Sequence, residues 1–450
     1  MSSDLRDAAL AYHRDPVPGK IAIALTKPCG TQRELSLAYT PGVALPCLEI
    51  EKNPDTVWEL TGRGNSVAVV SDGTAVLGLG NIGPEAGLPV MEGKAVLFKH
   101  FADIDAIPIC LGRVFTDKGR TDAKKVIAVT ETLEPTFGGI NLEDIAGPEC
   151  FEVETELKKR MGIPVFHDDQ HGTAIISTAA ILNAVAFTGR KLADCRFVIN
   201  GAGAAGIACA EMYVAAGATR KNFILCDSKG VIHLGRTAGM TPEKDRFAVD
   251  TPARTLTDAL RGADIFVGLS VAACVTAEMV KTMAPNPIIF AMANPTPEIM
   301  PELALQGGAA VVGTGRSDFP NQVNNVLGFP GIFRGALDTR AVKINEEMKR
   351  AASLALASLA QETIPAEVKI FLAKAYPQDA AAGLFDGKNP LKATYVIPKP
   401  FDPRVVPRVA RFVAEAAMKS GVAKRPIADL AAYEQAVTAR IAKAHGSPAG

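Results

Sequence analysis

Two histidines and two aspartates stand together in 164-PVFHDDQHGTAII-176, directly ahead of an apolar run. Three chemistries fit these types. Asp168 or Asp169 can cap the following helix by accepting its free N–H groups. His167 and His171, one helical turn apart, can offer nitrogens to zinc, but no third nitrogen or sulfur partner is evident and Cys150 is isolated. The aspartates can also join other acids around a hard cation. A second acidic pair, Glu143 and Asp144, stands in 140-INLEDIAGPE-149. Adjacent acids on a strand point to opposite faces, so using both on one ion requires a strand end or turn, and Gly147-Pro148 supplies the stop. Glu143, Asp144 and one of the Asp168–Asp169 pair would present three carboxylates to octahedral Mg²⁺ or Mn²⁺, with positions left for substrate and water. Spacing alone leaves all three chemistries open.

Two glycine-rich loops bear on a ligand. The run 201-GAGAAG-206 follows RFVIN and opens IACAEMYVAAG, after which comes FILCD, ending in Asp227. That order of strand, turn, helix, strand and acid is the dinucleotide pattern. Gly201 permits the turn, Gly203 lets backbone approach a diphosphate, and Gly206 lets the helix pack closely; Ala202, Ala204 and Ala205 complete the expected cofactor-binding loop. The helix start then offers N–H groups to phosphate. Asp227 is placed to meet a ribose 2′-hydroxyl, while Ser228 and Lys229 suit a 2′-phosphate, so NADP is expected, with NAD the weaker alternative. The other match, 78-GLGNIG-83, runs into Pro84-Glu85-Ala86-Gly87 and lacks a following strand and acid. It reads as a tight loop, with Gly78, Gly80 and Asn81 lining a cleft.

The elements that must position these residues alternate between short apolar runs and longer helical patterns. This argues for an α/β fold in two domains: an N-terminal α/β substrate domain and a Rossmann-type, doubly wound dinucleotide-binding domain. Strands are expected at 66–72, 106–112, 164–168 and in RFVIN, FILCD, IFVGLS and IIFAMANP; helices at 87–101, 149–162 and from Gly172 onward. The spans become 1–165 for the first domain, 166–430 for the second with its C-terminal helices, and 431–450 for a tail or linker. HGSPAG at the end is expected to be disordered.

The 450 residues carry a formal net charge of zero and one Trp, so no basic footprint for nucleic acid is built. No apolar run reaches the roughly 18 residues of a membrane span, and the N-terminus lacks the apolar core of a signal peptide. Eight cysteines without a Cys-x-x-Cys pair, several beside apolar strands (Cys110, Cys195, Cys226), read as reduced thiols of a cytoplasmic protein.

Taken together, 37-LAYTPGVA-44, 92-EGKAVLFK-99, 138-GGINLEDI-145, 166-FHDDQHGTA-174, GAGAAG, 292-MANPTPE-298 and 321-NQVNNVLGFPG-331 resemble malic enzyme, from about residue 12 to about 430. In detail the chain is similar to the short bacterial form. Its segment 395–427 resembles the stretch ahead of the phosphotransacetylase-like domain of hybrid malic enzymes, which implies either a stand-alone enzyme or a catalytic portion of a longer parent.

The resemblance implies oxidative decarboxylation of L-malate to pyruvate and CO₂ with reduction of NAD(P)⁺, in at least a homodimer. It implies Tyr39 as general acid, Lys94 as general base, and Glu143, Asp144 and Asp169 as ligands of Mg²⁺ or Mn²⁺. Asp168 would orient Lys94, while Asn294 and Asn325 would contact malate and the nicotinamide end. The apolar neighbours of Lys94 are expected to lower its pKa. Two departures stand out: Ala75 replaces the arginine that grips a substrate carboxylate in the large eukaryotic members, and His167 and His171 receive no ligand role. Rival readings are a metal-independent two-domain dehydrogenase and a non-catalytic relic that senses nucleotide or acyl-CoA.

Overall fold

The computed structural model describes residues 3–76, 78–387 and 391–446. Two sheets carry the architecture. The first holds four parallel strands in the order β2-β1-β3-β4: β1 (Ser66–Ser71), β2 (Asp105–Cys110), β3 (Gly139–Leu142) and β4 (Val165–His167). The second runs β10-β9-β8-β5-β6-β7. Its members are β5 (Phe197–Asn200), β6 (Phe223–Asp227), β7 (Gly230–Val231), β8 (Ile265–Gly268), β9 (Ile288–Ala291) and β10 (Val311–Thr314). All pair in parallel except β7, which returns antiparallel on β6. Strands β7 and β10 go beyond the expected runs: one is a two-residue ribbon, the other a short VVGT.

Parallel strands covered on both faces become continuous apolar runs, and Val67–Val70, Ile199 and Ile288–Ala291 are almost completely buried. In both sheets the chain reverses its direction of growth beside a central strand. From β1 it goes to β2 on one side and β3 on the other; from β5 it goes to β6 and then back to β8. Such switch points leave a crevice at the carboxyl ends of the strands. Glu143 and Asp144 follow β3, Asp168 and Asp169 follow β4, and the GAGAAG loop follows β5.

Helix Asp168–Phe187 joins the lobes. It is buried on nearly all sides and packs against helices Ala204–Ala215 and Glu346–Gln361, which explains its nearly unbroken apolar sequence. Helix Pro84–Ala102 begins with Pro at its first position, where no N–H is needed, and lies against β2 and β1.

The tail or linker expected over 431–450 is instead a helix, Leu430–Gly446, packed on helices Val405–Lys419 and Pro84–Ala102. Arg440 fastens it to the first lobe, donating from Nε to Asp103 Oδ2 (2.8 Å) and from Nη2 to Asn65 Oδ1 (2.8 Å). Long-range packing and a charge pair, invisible to local composition, hold this segment. The disorder expected of HGSPAG falls largely outside the described residues. No described helix is long and apolar enough to cross a membrane.

The opposite end of the chain is poorly covered. Helices Gln32–Ala38 and Ala44–Lys52 bury no residue, and Leu35, Leu37, Leu45 and Leu48 are all exposed.

Candidate active site

A cavity of about 1000 Å³ opens between the lobes, lined from one side by Lys94, Glu143, Asp144 and Asp169 and from the other by Ala204, Ala205, Leu269 and Asn294. Glu143, Asp144 and Asp169 bring one carboxylate oxygen each within 4.8 Å of one another. The turn needed to use adjacent acids is present: Asp144 has φ +54°, and its backbone N–H donates to Asp169 Oδ2 at 2.7 Å. Asn141 Nδ2 fixes Glu143 by donating to Oε2 (2.8 Å). An all-oxygen set of clustered anions fits a hard divalent ion, because without one each charge repels the next. Burial, with Asp169, Asp168 and Asp144 adding to it against Lys94, pushes the Glu143 carboxyl well above its usual range.

The aspartates do not cap the helix through their side chains. The capping position is His167, whose ring makes no capping bond, and Asp168 and Asp169 occupy the first helical turn. There the helix dipole favours them. His167 is buried with its Nδ1 3.9 Å from Asp169 Oδ2, and His171 turns away to Glu154 (2.9 Å) and Lys349. Among the described residues the candidate metal cluster contains no histidine.

Lys94 Nζ sits between Asp168 Oδ2 (2.7 Å) and Glu143 Oε1 (2.8 Å), above the ring of Phe329 at 4.2 Å. The expected drop in its pKa is overturned. Burial pulls it down, but Asp168 and Glu143 outweigh burial and hold the amine as ammonium. The apolar helix neighbours were legible locally; two carboxylates from other strand ends were not. Asp168 also accepts from Asn325 Nδ2 at 3.2 Å, and Thr173 donates to Asn325 Oδ1 at 3.1 Å. Gly172 makes this contact possible, since a Cβ there would lie 2.3 Å from Asp168 Oδ1.

On the nucleotide side, Gly201 has φ +117° and a Cβ would meet Leu269 O at 2.3 Å; a Cβ on Gly206 would meet Gly201 O at 1.9 Å. At Gly203 a Cβ would project into open space, the route a diphosphate needs. Gly203 caps helix Ala204–Ala215, and Ala202 is buried beneath the turn. Asp227 does not stand free for a ribose. It accepts from Arg236 Nη2 on both oxygens (2.7 Å each), from Lys244 Nζ (2.8 Å) and from the Lys229 backbone N–H (2.8 Å). Burial works to raise its pKa, but Lys244 and Arg236 prevail and lower it. Ser228 and Lys229 are exposed on the adjoining turn.

Sequence reasoning missed Arg236 and Lys244, which follow Asp227 by 9 and 17 positions with no motif to flag them. It also missed Lys20 and His13, which line the cavity. Gly78 lines the cavity beside Asn294, but Gly80 and Asn81 do not; Asn81 donates to Gly119 O at 3.2 Å. Tyr39 is 69% exposed, ends helix Gln32–Ala38 and does not line the cavity of its own chain.

Two lobes built on parallel strands, a dinucleotide loop and a carboxylate cluster facing it define a two-domain dinucleotide-binding α/β protein. Residues 18–158 match the malic enzyme N-terminal domain and residues 170–375 the malic enzyme NAD-binding domain. The chain belongs to the malic enzyme family. It is 55% identical over 441 residues to the NADP-dependent malic enzyme of Escherichia coli (strain K12), covering 97% of this chain and 56% of that one. It is 51% identical to the NADP-dependent malic enzyme of Halomonas elongata, covering 95% of this chain and 96% of the relative. The chain therefore spans little more than half the length of the first relative and nearly all of the second. The crystal structure of malic enzyme from Pyrococcus horikoshii superimposes with a TM-score of 0.83 at 39% identity, covering 98% and 96% of the two chains.

Proposed function

We propose that this protein oxidatively decarboxylates L-malate to pyruvate and CO₂ while reducing NADP⁺, in the cytoplasm. The observation that carries the reading is Lys94, wedged between Asp168 and Glu143 and opening onto the same cavity as the carboxylate cluster and the glycine loop.

Glu143, Asp144 and Asp169 would hold Mg²⁺ or Mn²⁺, which supplies Lewis-acid stabilisation of the substrate oxygens and offsets the negative charge now bearing on Lys94. Lys94, once neutral, takes the C2 hydroxyl proton at Nζ as C2 gives hydride to the nicotinamide. The C3–C4 bond then breaks, CO₂ leaves, and Tyr39 gives its phenol proton to C3. Asp168 keeps the Lys94 ammonium in place through the cycle, and Asn325, tied to Asp168, is set to contact substrate. Asn294, which lines the same cavity, would contact the nicotinamide end.

NADP is favoured over NAD by charge. Asp227 alone would repel a 2′-phosphate, whereas Arg236 and Lys244 together outweigh its charge, and Lys229 and Ser228 on the adjoining exposed turn would add to the phosphate contacts. Tyr39 and its uncovered helices support a homo-oligomer, in which the phenol of one subunit serves the site of another.

The test is NADPH formation from L-malate with Mg²⁺ or Mn²⁺, followed by EDTA. Activity that disappears on chelation and returns with added ion is expected. Tight NADP binding without malate turnover would replace the reading with a non-catalytic one, and turnover indifferent to EDTA with a metal-independent dehydrogenase.

A further inference from the structure

Malate carries two carboxylates, and the cavity offers few cations to receive them. Among its described lining residues, Lys20 and Lys94 are the only lysines or arginines, against three acids, Glu143, Asp144 and Asp169. Lys94 is committed to Asp168 and Glu143. Ala75, on the same wall, supplies no charge.

Lys20 is differently placed. Its ammonium donates to the Pro89 carbonyl (2.5 Å) and to His13 Nε2 (3.0 Å). His13 Nδ1 must donate to the Ala9 carbonyl at 2.8 Å, because that oxygen can only accept, so Nε2 of the neutral ring keeps its lone pair for Lys20. Both partners of the ammonium are thus uncharged. Glu92 accepts the backbone N–H of Lys20 (3.2 Å) and forms no ion pair with its ammonium among the described residues. A half-buried cation with only neutral partners is under-solvated, and an arriving carboxylate restores what it lost. In keeping with this, burial pushes the Lys20 amine down and Glu92 only partly opposes it. Pro89 belongs to helix Pro84–Ala102, so Lys20 is docked little more than one turn before Lys94 on the same helix.

We propose that Lys20, held by Pro89 O and His13 Nε2, is the specificity-determining cation for the substrate carboxylate that the acidic cluster's ion does not take. The inference rests on the malate reading above. It selects 2-hydroxy dicarboxylates over monocarboxylates, because a ligand lacking the remote carboxylate leaves this cation unpaired.

The experiment compares wild type, Lys20→Met and Lys20→Arg in steady state, with melting temperatures recorded for each. Oxalate serves as a competitive probe, since it can chelate a divalent ion but has no remote carboxylate. The expected result for Lys20→Met is a malate KM raised about tenfold or more, kcat within about twofold, and unchanged oxalate inhibition and NADP KM. Lys20→Arg should recover most of the malate affinity. An unchanged malate KM in Lys20→Met would overturn the assignment. So would parallel losses for malate, oxalate and NADP, or a collapsed melting temperature that Lys20→Arg shares, since these mark a support of the cleft. A wild-type protein with no malate-dependent NADP reduction would instead defeat the reading of the whole site.

Discussion

The Lys94 ammonium and the Asp168 carboxylate form a buried ion pair of 2.7 Å, although 74 positions separate them in the chain. Removing one partner of such a pair strands the other in a poorly solvated place. Lys94→Ala should abolish malate oxidation, and Asp168→Asn should lower kcat at least about a hundredfold. Equilibrium NADP binding should stay close to wild type in both. Retained turnover in Lys94→Ala would remove it as the base.

Arg236 and Lys244 meet on Asp227, and the proposed preference for NADP rests on them. Arg236→Ala and Lys244→Ala should each raise the KM for NADP about tenfold or more, with a smaller effect on NAD. Lys229→Ala should act in the same sense, more weakly, because its side chain is exposed on the turn. Equal losses for both nucleotides would show that these cations support the fold of the loop rather than a 2′-phosphate.

Tyr39, exposed at the end of a helix that buries nothing, should act across a subunit boundary. Tyr39→Phe and Lys94→Ala proteins, each inactive alone, are mixed, unfolded and refolded together. Random pairing in a twofold dimer should restore about a quarter of wild-type sites, because half the dimers are mixed and each has one intact site. No recovery would place Tyr39 in its own chain's site.

His171 gives the fold a pH dependence of definite sign. Its Nε2 bonds Glu154 (2.9 Å) and its Nδ1 faces Lys349 (3.2 Å). Burial is the main cause that lowers its pKa from 6.5 to about 4, Glu154 opposing and Lys349 assisting. A histidine kept neutral in the fold contributes stability that is complete above pH 6.5 and lost as pH falls toward 4. The contribution is on the order of 3 kcal/mol. Melting temperatures across pH 6.5 to 4 should therefore fall more steeply in wild type than in His171→Asn. Identical slopes would discard His171 as the titrating group.

Much of the site was readable along the chain because its parts are local. The Gly201–Gly206 turn depends on absent Cβ atoms and on a strand and helix immediately beside it. The two acidic pairs stand at strand ends that hydrophobic runs mark out. Backbone constraints of this kind act over a few residues, so a linear pattern contains them.

What only the tertiary structure decided depends on charges brought together from distant segments. Lys94 reads as a desolvated amine by its neighbours in sequence, yet β3 and β4 deliver Glu143 and Asp168 and reverse the sign of its shift. Asp227 looks like a free acid until Arg236 and Lys244 fold over it, and Lys20 has no motif until Pro89 and His13 receive its ammonium. Tyr39 looks like a site residue and is left outside the cavity of its own chain. Electrostatic energy depends on separation and burial in space, and neither is a function of position along the chain.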